Sequence, residues 1–118
     1  SVRYGRIVTI ASQAGKEGIA NVSAYNAAKA GAIGIMKGLA SELATFNITA
    51  TSITPTLAET DLMNEMSEEY IAGIKERTLM GRLCHAREVA NMVAFVASPA
   101  CSYSTGACFD VSGGRAQY

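Results

Sequence analysis

The chain has 118 residues, 49% of them hydrophobic and 17% charged, a composition that suits one folded domain or part of a larger one and excludes a disordered chain. Ten Lys and Arg balance ten Asp and Glu with no basic block longer than an isolated pair, so nucleic-acid binding through a phosphate-neutralising surface is not expected. No apolar run approaches the ~20 residues of a membrane span and the first residues lack the apolar stretch of a signal peptide, so the expected setting is the cytoplasm, with no membrane partner.

Residues 5–12 (GRIVTIAS) form a short β-branched run followed by Gly15 and Gly18, and read as a buried strand ending in a loop. Residues 23–44 read as a long helix with Ser23 as N-cap, because Tyr25, Ala28, Ala32, Ile35, Met36, Leu39 and Leu43 fall at three- and four-residue steps. Residues 47–54 (NITATSIT) are a second strand, stopped by Pro55. Residues 56–66 show no period and are predicted as loop. Ser67, followed by Glu68 and Glu69, opens a helix to about Thr78, with Gly81 ending it. Another helix is predicted over 86–97, with Val89, Met92, Val93 and Val96 on one face. Residues 107–112 (ACFDVS) form the last strand, between Gly106 and Gly113-Gly114. The alternation predicts an α/β fold, a three-stranded parallel sheet with flanking helices and right-handed crossovers.

Cys84, Cys101 and Cys108 are odd in number and show no CxxC spacing, so they read as reduced thiols, and no metal site is expected. Within the long helix, Ala27, Gly31, Gly34 and Gly38 make a stripe of very small residues. Each interior glycine costs about 1 kcal/mol relative to alanine. Close approach of another backbone would offset that cost, from either the parent sheet or a second subunit. Both alternatives predict a helix buried on more than one side.

Tyr25 and Lys29 are i,i+4 neighbours on one helix face. An ordinary phenol is a poor base at neutral pH, but an ammonium close by and the amino end of a helix both favour its anion. The bland alternative is a packing tyrosine beside a solvated lysine. Ser12 ends the strand before this helix, and ligands of parallel sheets bind at the carboxyl ends of strands. The second strand ends at the same edge, with Thr54-Pro55-Thr56.

These residues carry a resemblance that covers nearly the whole chain. The sequence resembles the carboxyl-terminal half of a short-chain dehydrogenase/reductase, in the 3-oxoacyl-carrier-protein reductase-like branch. GRIVTIAS matches the strand leading to the family's serine, Tyr25 and Lys29 match its YxxxK, and Ser12 stands thirteen positions before Tyr25 (25 − 12). Pro55 to Asp61 (PTLAETD) resembles the PGxxxTD loop, and Gly81-Arg82-Leu83, Ser104-Thr105-Gly106 and Val111 to Gly114 match the family's tail.

The resemblance implies the second half of a Rossmann-type doubly wound sheet and an oxidoreductase that interconverts an alcohol and a ketone with NAD or NADP. Tyr25 would be the acid/base. Lys29 would hold the nicotinamide ribose and favour the phenolate, and Ser12 would hydrogen-bond the substrate oxygen. Pro55, Thr56, Leu57 and Thr60 would position the cofactor. Residues 60–80 would form a mobile lid, and the long helix a homo-oligomer interface, in a dimer or tetramer. Thr56 stands where the family has glycine, and a β-branched residue there restricts the turn beside the nicotinamide. The glycine-rich first βα turn has no counterpart here, so residues 1–118 read as the catalytic half of one domain. The amino-terminal half is expected on another chain or a separated segment, with the isolated chain inactive. The alternative is a non-enzymatic scaffold or interaction protein that keeps the fold.

Overall fold

The structure is a computed structural model that describes residues 3–118. Its elements are β1 (Gly5–Ile10), α1 (Ser23–Leu43), β2 (Ile48–Pro55), β3 (Ala58–Glu59), α2 (Glu68–Arg77), β4 (Cys84–His85), α3 (Ala86–Val96) and β5 (Cys108–Val111). β1, β2 and β5 form the three-stranded parallel sheet that the alternation of periods predicts, and its order is β1-β2-β5. In its register Ile10 lies opposite Ile53, and Pro55 opposite Val111.

β2 is central, and Ala50, Ile53 and Thr54 are wholly buried. Residues 50 and 53 differ by an odd number, so their side chains point to opposite faces of the sheet. Ala50 packs with Met36 and Ala40 of α1, whereas Ile53 packs with Val96 of α3 and with Val89, Met92 and Val93 around it. Helices therefore cover both faces, the doubly wound arrangement. No helix among the described residues is long and apolar enough to cross a membrane.

Four expectations need correction. Ser23 is not the N-cap: it is already helical, and Val22 (φ −134°, ψ 45°) occupies the cap without a side-chain bond. Pro55 does not stop β2 but closes it, because the missing donor is made up by the next residue, whose N–H bonds the Val111 carbonyl at 3.4 Å. The segment 56–66 is not plain loop, since it contains β3, paired in parallel with β4, and a 3-10 turn at Asp61–Glu65. A two-residue strand whose partner lies far along the chain leaves no local period to read. Finally, α1 is not buried on more than one side within this chain. A methyl group at Gly31, Gly34 or Gly38 would meet nothing within 4 Å. The glycines therefore do not serve packing on the parent sheet.

The ends of the long connection are fixed tightly. Gly113 and Gly114 have φ of 61° and 87°, and a methyl group on either would lie 2.8 Å from a side-chain carbon of Thr78 or Leu79. The Met80 N–H bonds the Gly113 carbonyl at 3.0 Å, so the end of the segment after α2 lies on the turn after β5. Arg82 forms a two-pronged pair with Glu88 (2.7 and 3.0 Å), and Glu88 also accepts the His85 N–H at 2.9 Å, at the start of α3. His85 Nδ1 lies 2.9 Å from Glu59 Oε2, linking β4 to β3.

The Arg82 hydrogen bonds, with that of the His85 N–H, hold the Glu88 carboxyl down from the ordinary 4.5 to about 2. A carboxyl depressed on folding stabilises the folded state above its unfolded value and loses that contribution as pH falls through the folded value. Acid titration followed by circular dichroism should therefore show Glu88→Gln to be less stable than wild type at neutral pH. Its stability should also fall less between pH 4.5 and about 2. Parallel curves for the two proteins across that window would contradict this assignment.

Candidate functional site

Parallel strands align their carboxyl ends, and the register fixes what meets there. The Ala11 N–H still bonds the Ile53 carbonyl at 2.8 Å, so the ladder runs one residue past β1. Continuing the Ile10–Ile53 pairing by two residues brings Ser12 level with Pro55, and Pro55 is in turn opposite Val111. Ser12 is extended (φ −163°, ψ 151°) and caps a 3-10 turn at Gln13–Gly15, its Oγ accepting the Ala14 N–H at 3.1 Å. That bond uses a lone pair and leaves the hydroxyl proton free to be donated.

The turn is pressed onto α1. A methyl group on Gly15 would lie 2.8 Å from the Lys29 carbonyl carbon and 2.9 Å from the Ala30 nitrogen. Only a residue without Cβ permits this approach. The entry to α1 is held on the same side, with the Asn26 side-chain amide donating to the Ile19 carbonyl at 2.8 Å.

One turn of helix carries both Tyr25 and Lys29. The Lys29 ammonium lies 5.7 Å from the Tyr25 ring centroid and donates to the Ile10 carbonyl at 3.4 Å, at the end of β1. An ammonium has three donors, so others remain for a ligand. The Tyr25 side chain is not turned into the interior: the residue is 47% exposed. The junction between turn and helix thus gathers Tyr25, Lys29 and the strand end that leads into Ser12. Gly15, which makes the junction, was legible in the sequence only as a loop marker.

The remaining candidates divide. Pro55 ends β2 at the rim and Thr56 follows it, lining a cavity of about 200 Å³ with Arg82, Cys84, Asp110 and Ser112. Leu57 and Thr60 are set instead by the β3 region, where the Leu57 carbonyl accepts the Cys84 N–H at 3.4 Å and the Thr60 carbonyl accepts the Met63 N–H at 3.0 Å. Burial pushes the Cys84 thiol up, which disfavours the nucleophilic thiolate.

Known proteins resemble this chain in both sequence and fold. Residues 2–116 match the family model described as enoyl-(acyl carrier protein) reductase. The chain is 44% identical over 115 residues to a 2-dehydro-3-deoxy-L-rhamnonate dehydrogenase (NAD(+)) of Sphingomonas sp. (strain SKA58), covering 98% of this chain and 46% of the relative. It is 45% identical over 112 residues to the 3-oxoacyl-[acyl-carrier-protein] reductase FabG of Escherichia coli (strain K12), covering 95% and 46%. A crystal structure of a variant actinorhodin polyketide ketoreductase with NADPH superposes with a TM-score of 0.88 at 36% identity, covering 98% of this chain and 48% of that one. The chain spans about half the length of the curated relatives it matches.

The contact at Gly15 is open to direct test. Gly15→Ala should destabilise the fold by about 1–3 kcal/mol in denaturant unfolding, since a methyl group forced against helix backbone has no room to relax. Gly18→Ala, where the added carbon would meet Asn26 Nδ2 at an ordinary 3.9 Å, should cost little. Equal losses at the two positions would show that the close approach is not what distinguishes Gly15.

Proposed function

The chain belongs to the short-chain dehydrogenase/reductase family, and we propose that it is the catalytic half of an enzyme that interconverts an alcohol and a ketone, of 3-oxoacyl type, with NAD or NADP. The observation that carries this reading is the Gly15 junction, which sets the Tyr25–Lys29 turn of α1 against the strand end leading into Ser12. In ketone reduction Tyr25 gives its phenolic proton to the carbonyl oxygen, and in alcohol oxidation it takes the proton back. Ser12 donates a hydrogen bond to the same oxygen and stabilises the charge that develops there. Lys29 holds its ammonium 5.7 Å from the phenol ring, and its free donors would hold the ribose hydroxyls of the cofactor. The nicotinamide, when bound, supplies or accepts the hydride.

The donor set fits such a cofactor at its nicotinamide end: an exposed phenol, an ammonium with donors to spare, and the Pro55-Thr56 strand end at one rim. Leu57 and Thr60 would lie along it, and residues 60–80 would close over the substrate. The pyrophosphate end has no cradle among the described residues. The turn after β1 spends its glycine against α1, leaving no nest for an anion. Turnover therefore needs the amino-terminal half, whether continuous with this chain or separate, and residues 1–118 alone would be inactive.

Two surfaces support the partners this implies. Among the described residues β1 has no neighbour on its outer edge, and it exposes Ile7 and Ile10, as expected where further strands add. The face of α1 bearing Gly31, Gly34 and Gly38 is open, which favours a second subunit of a dimer or tetramer over the parent sheet as its cover. Three free thiols suit a cytoplasmic location.

Tyr25→Phe, made in the protein together with its dinucleotide-binding half, should lower kcat for ketone reduction by roughly 10²- to 10⁴-fold. NAD(P)H binding, read by fluorescence, should change little. Unaltered turnover would remove Tyr25 from the mechanism. A wild-type assembly that neither turns over ketones nor alters the fluorescence of either cofactor would favour the scaffold.

A further inference from the structure

The segment after β5 reaches back to the turn that carries Ser12. Beyond Val111 the chain folds on itself: the Arg115 N–H bonds the Ser112 carbonyl at 3.1 Å, and the Ala116 N–H bonds Ser112 Oγ at 3.0 Å. Ser112 Oγ in turn donates to Asp110 Oδ2 at 2.7 Å, and Ala116 is buried. Two residues past this anchor stands Tyr118. Its hydroxyl donates to the Lys16 carbonyl, and the Lys16 ammonium lies 4.5 Å from the centroid of its ring.

Lys16 is not an arbitrary point of attachment. It caps the far end of the 3-10 turn whose near end is capped by Ser12, and its N–H closes that turn on the Gln13 carbonyl at 2.9 Å. The turn is therefore held at three places: by the Ser12 hydroxyl at its start, by the approach of Gly15 to α1 in its middle, and by Tyr118 at its end. We propose that Tyr118 is a positioning residue for Ser12, its hydroxyl and ring fixing Lys16 and hence the turn that aims the Ser12 hydroxyl at the rim. This rests on the role given to Ser12 above. The Tyr118 side chain touches no reacting atom and acts only through the turn.

Two readouts on the protein with its dinucleotide-binding half separate this inference from the reading it rests on. Hydrogen exchange needs no activity. Tyr118→Phe removes the donor but keeps the ring, and should speed exchange of the Ala14, Gly15 and Lys16 amides by about 3- to 10-fold, the worth of one neutral hydrogen bond. The amides of residues 50–52 in β2 should be unchanged, and unaltered exchange at residues 14–16 overturns the proposal. In steady-state ketone reduction the same variant should lower kcat by a similar factor with the KM for NAD(P)H unchanged, and Tyr118→Leu should lower it further. In a Ser12→Ala background Tyr118→Phe should have no further effect, because the group it positions is gone. An equal loss of kcat in both backgrounds, or none in either, overturns the positioning role. If the wild-type assembly reduces no ketone, the reading of Ser12 fails and the positioning role falls with it, while the exchange data still decide whether Tyr118 holds the turn.

Discussion

Gly15 lies so close to α1 that a methyl group would fall within 2.9 Å of three backbone atoms of Lys29 and Ala30, and the geometry of the site follows from that approach. A loop after a parallel strand is ordinarily free to choose its path over the sheet edge. Here the path is set by hard contact between two backbones, which no side-chain rotation can relax. Ser12 is three residues before the contact, and Lys29 is at it. The ammonium of Lys29 then reaches the carbonyl of Ile10, closing a small loop of interactions among strand, turn and helix. Each member is weak or exposed by itself, and the steric constraint keeps them in register.

The glycines of α1 follow a different logic. At Gly15 the missing side chain is filled by a neighbour, whereas at Gly31, Gly34 and Gly38 it faces open space. Three interior glycines cost a helix a few kcal/mol, a large part of the stability of a typical domain. Within the chain that loss is uncompensated, and Ile35 on the same helix is 62% exposed. The opposite face is ordinary, with Ile33, Met36 and Ala40 buried. A helix that spends stability to keep one face flat is explained when a second backbone lies on it, which is why that face supports association in the proposed enzyme.

The parts legible in the sequence were those with a local period or a local spacing. β1, α1, β2, α2, α3 and β5 each announce themselves within one window, and Tyr25 with Lys29 needs only the pitch of a helix. Ser67 opens α2 in the sequence reading and caps it in the structure, its hydroxyl accepting the Tyr70 N–H at 3.1 Å. Contacts between distant residues were hidden. The pairing of Ala58–Glu59 with Cys84–His85 spans too many residues for any period to register. Likewise, Pro55 looks like a stop because its missing donor is visible, while the Thr56 N–H that replaces it depends on where Val111 lies. Ser23 has the chemistry of a cap, but the Asn26 bond to Ile19 shapes the entry, and the helix starts one residue early. Composition likewise cannot tell a glycine that is filled from one that is bare.

The sheet order explains why acid/base chemistry and cofactor binding would divide between two halves. β1 is an edge strand here, yet Ser12 and the α1 junction sit at its carboxyl end, so the proposed machinery lies at the boundary of the three-stranded sheet and not at its centre. A parallel strand added outside β1 would align its own carboxyl end beside Ser12, and the turn after it would approach Tyr25 from the open side. The same addition would cover Ile7 and Ile10, turning an exposed edge into an interior one. Burial of that edge and closure of the crevice would thus be a single event. In the proposed enzyme, residues that act only beside a cofactor would gain from lying where a cofactor-binding half would dock, because the assembly that stabilises the sheet would also complete the site.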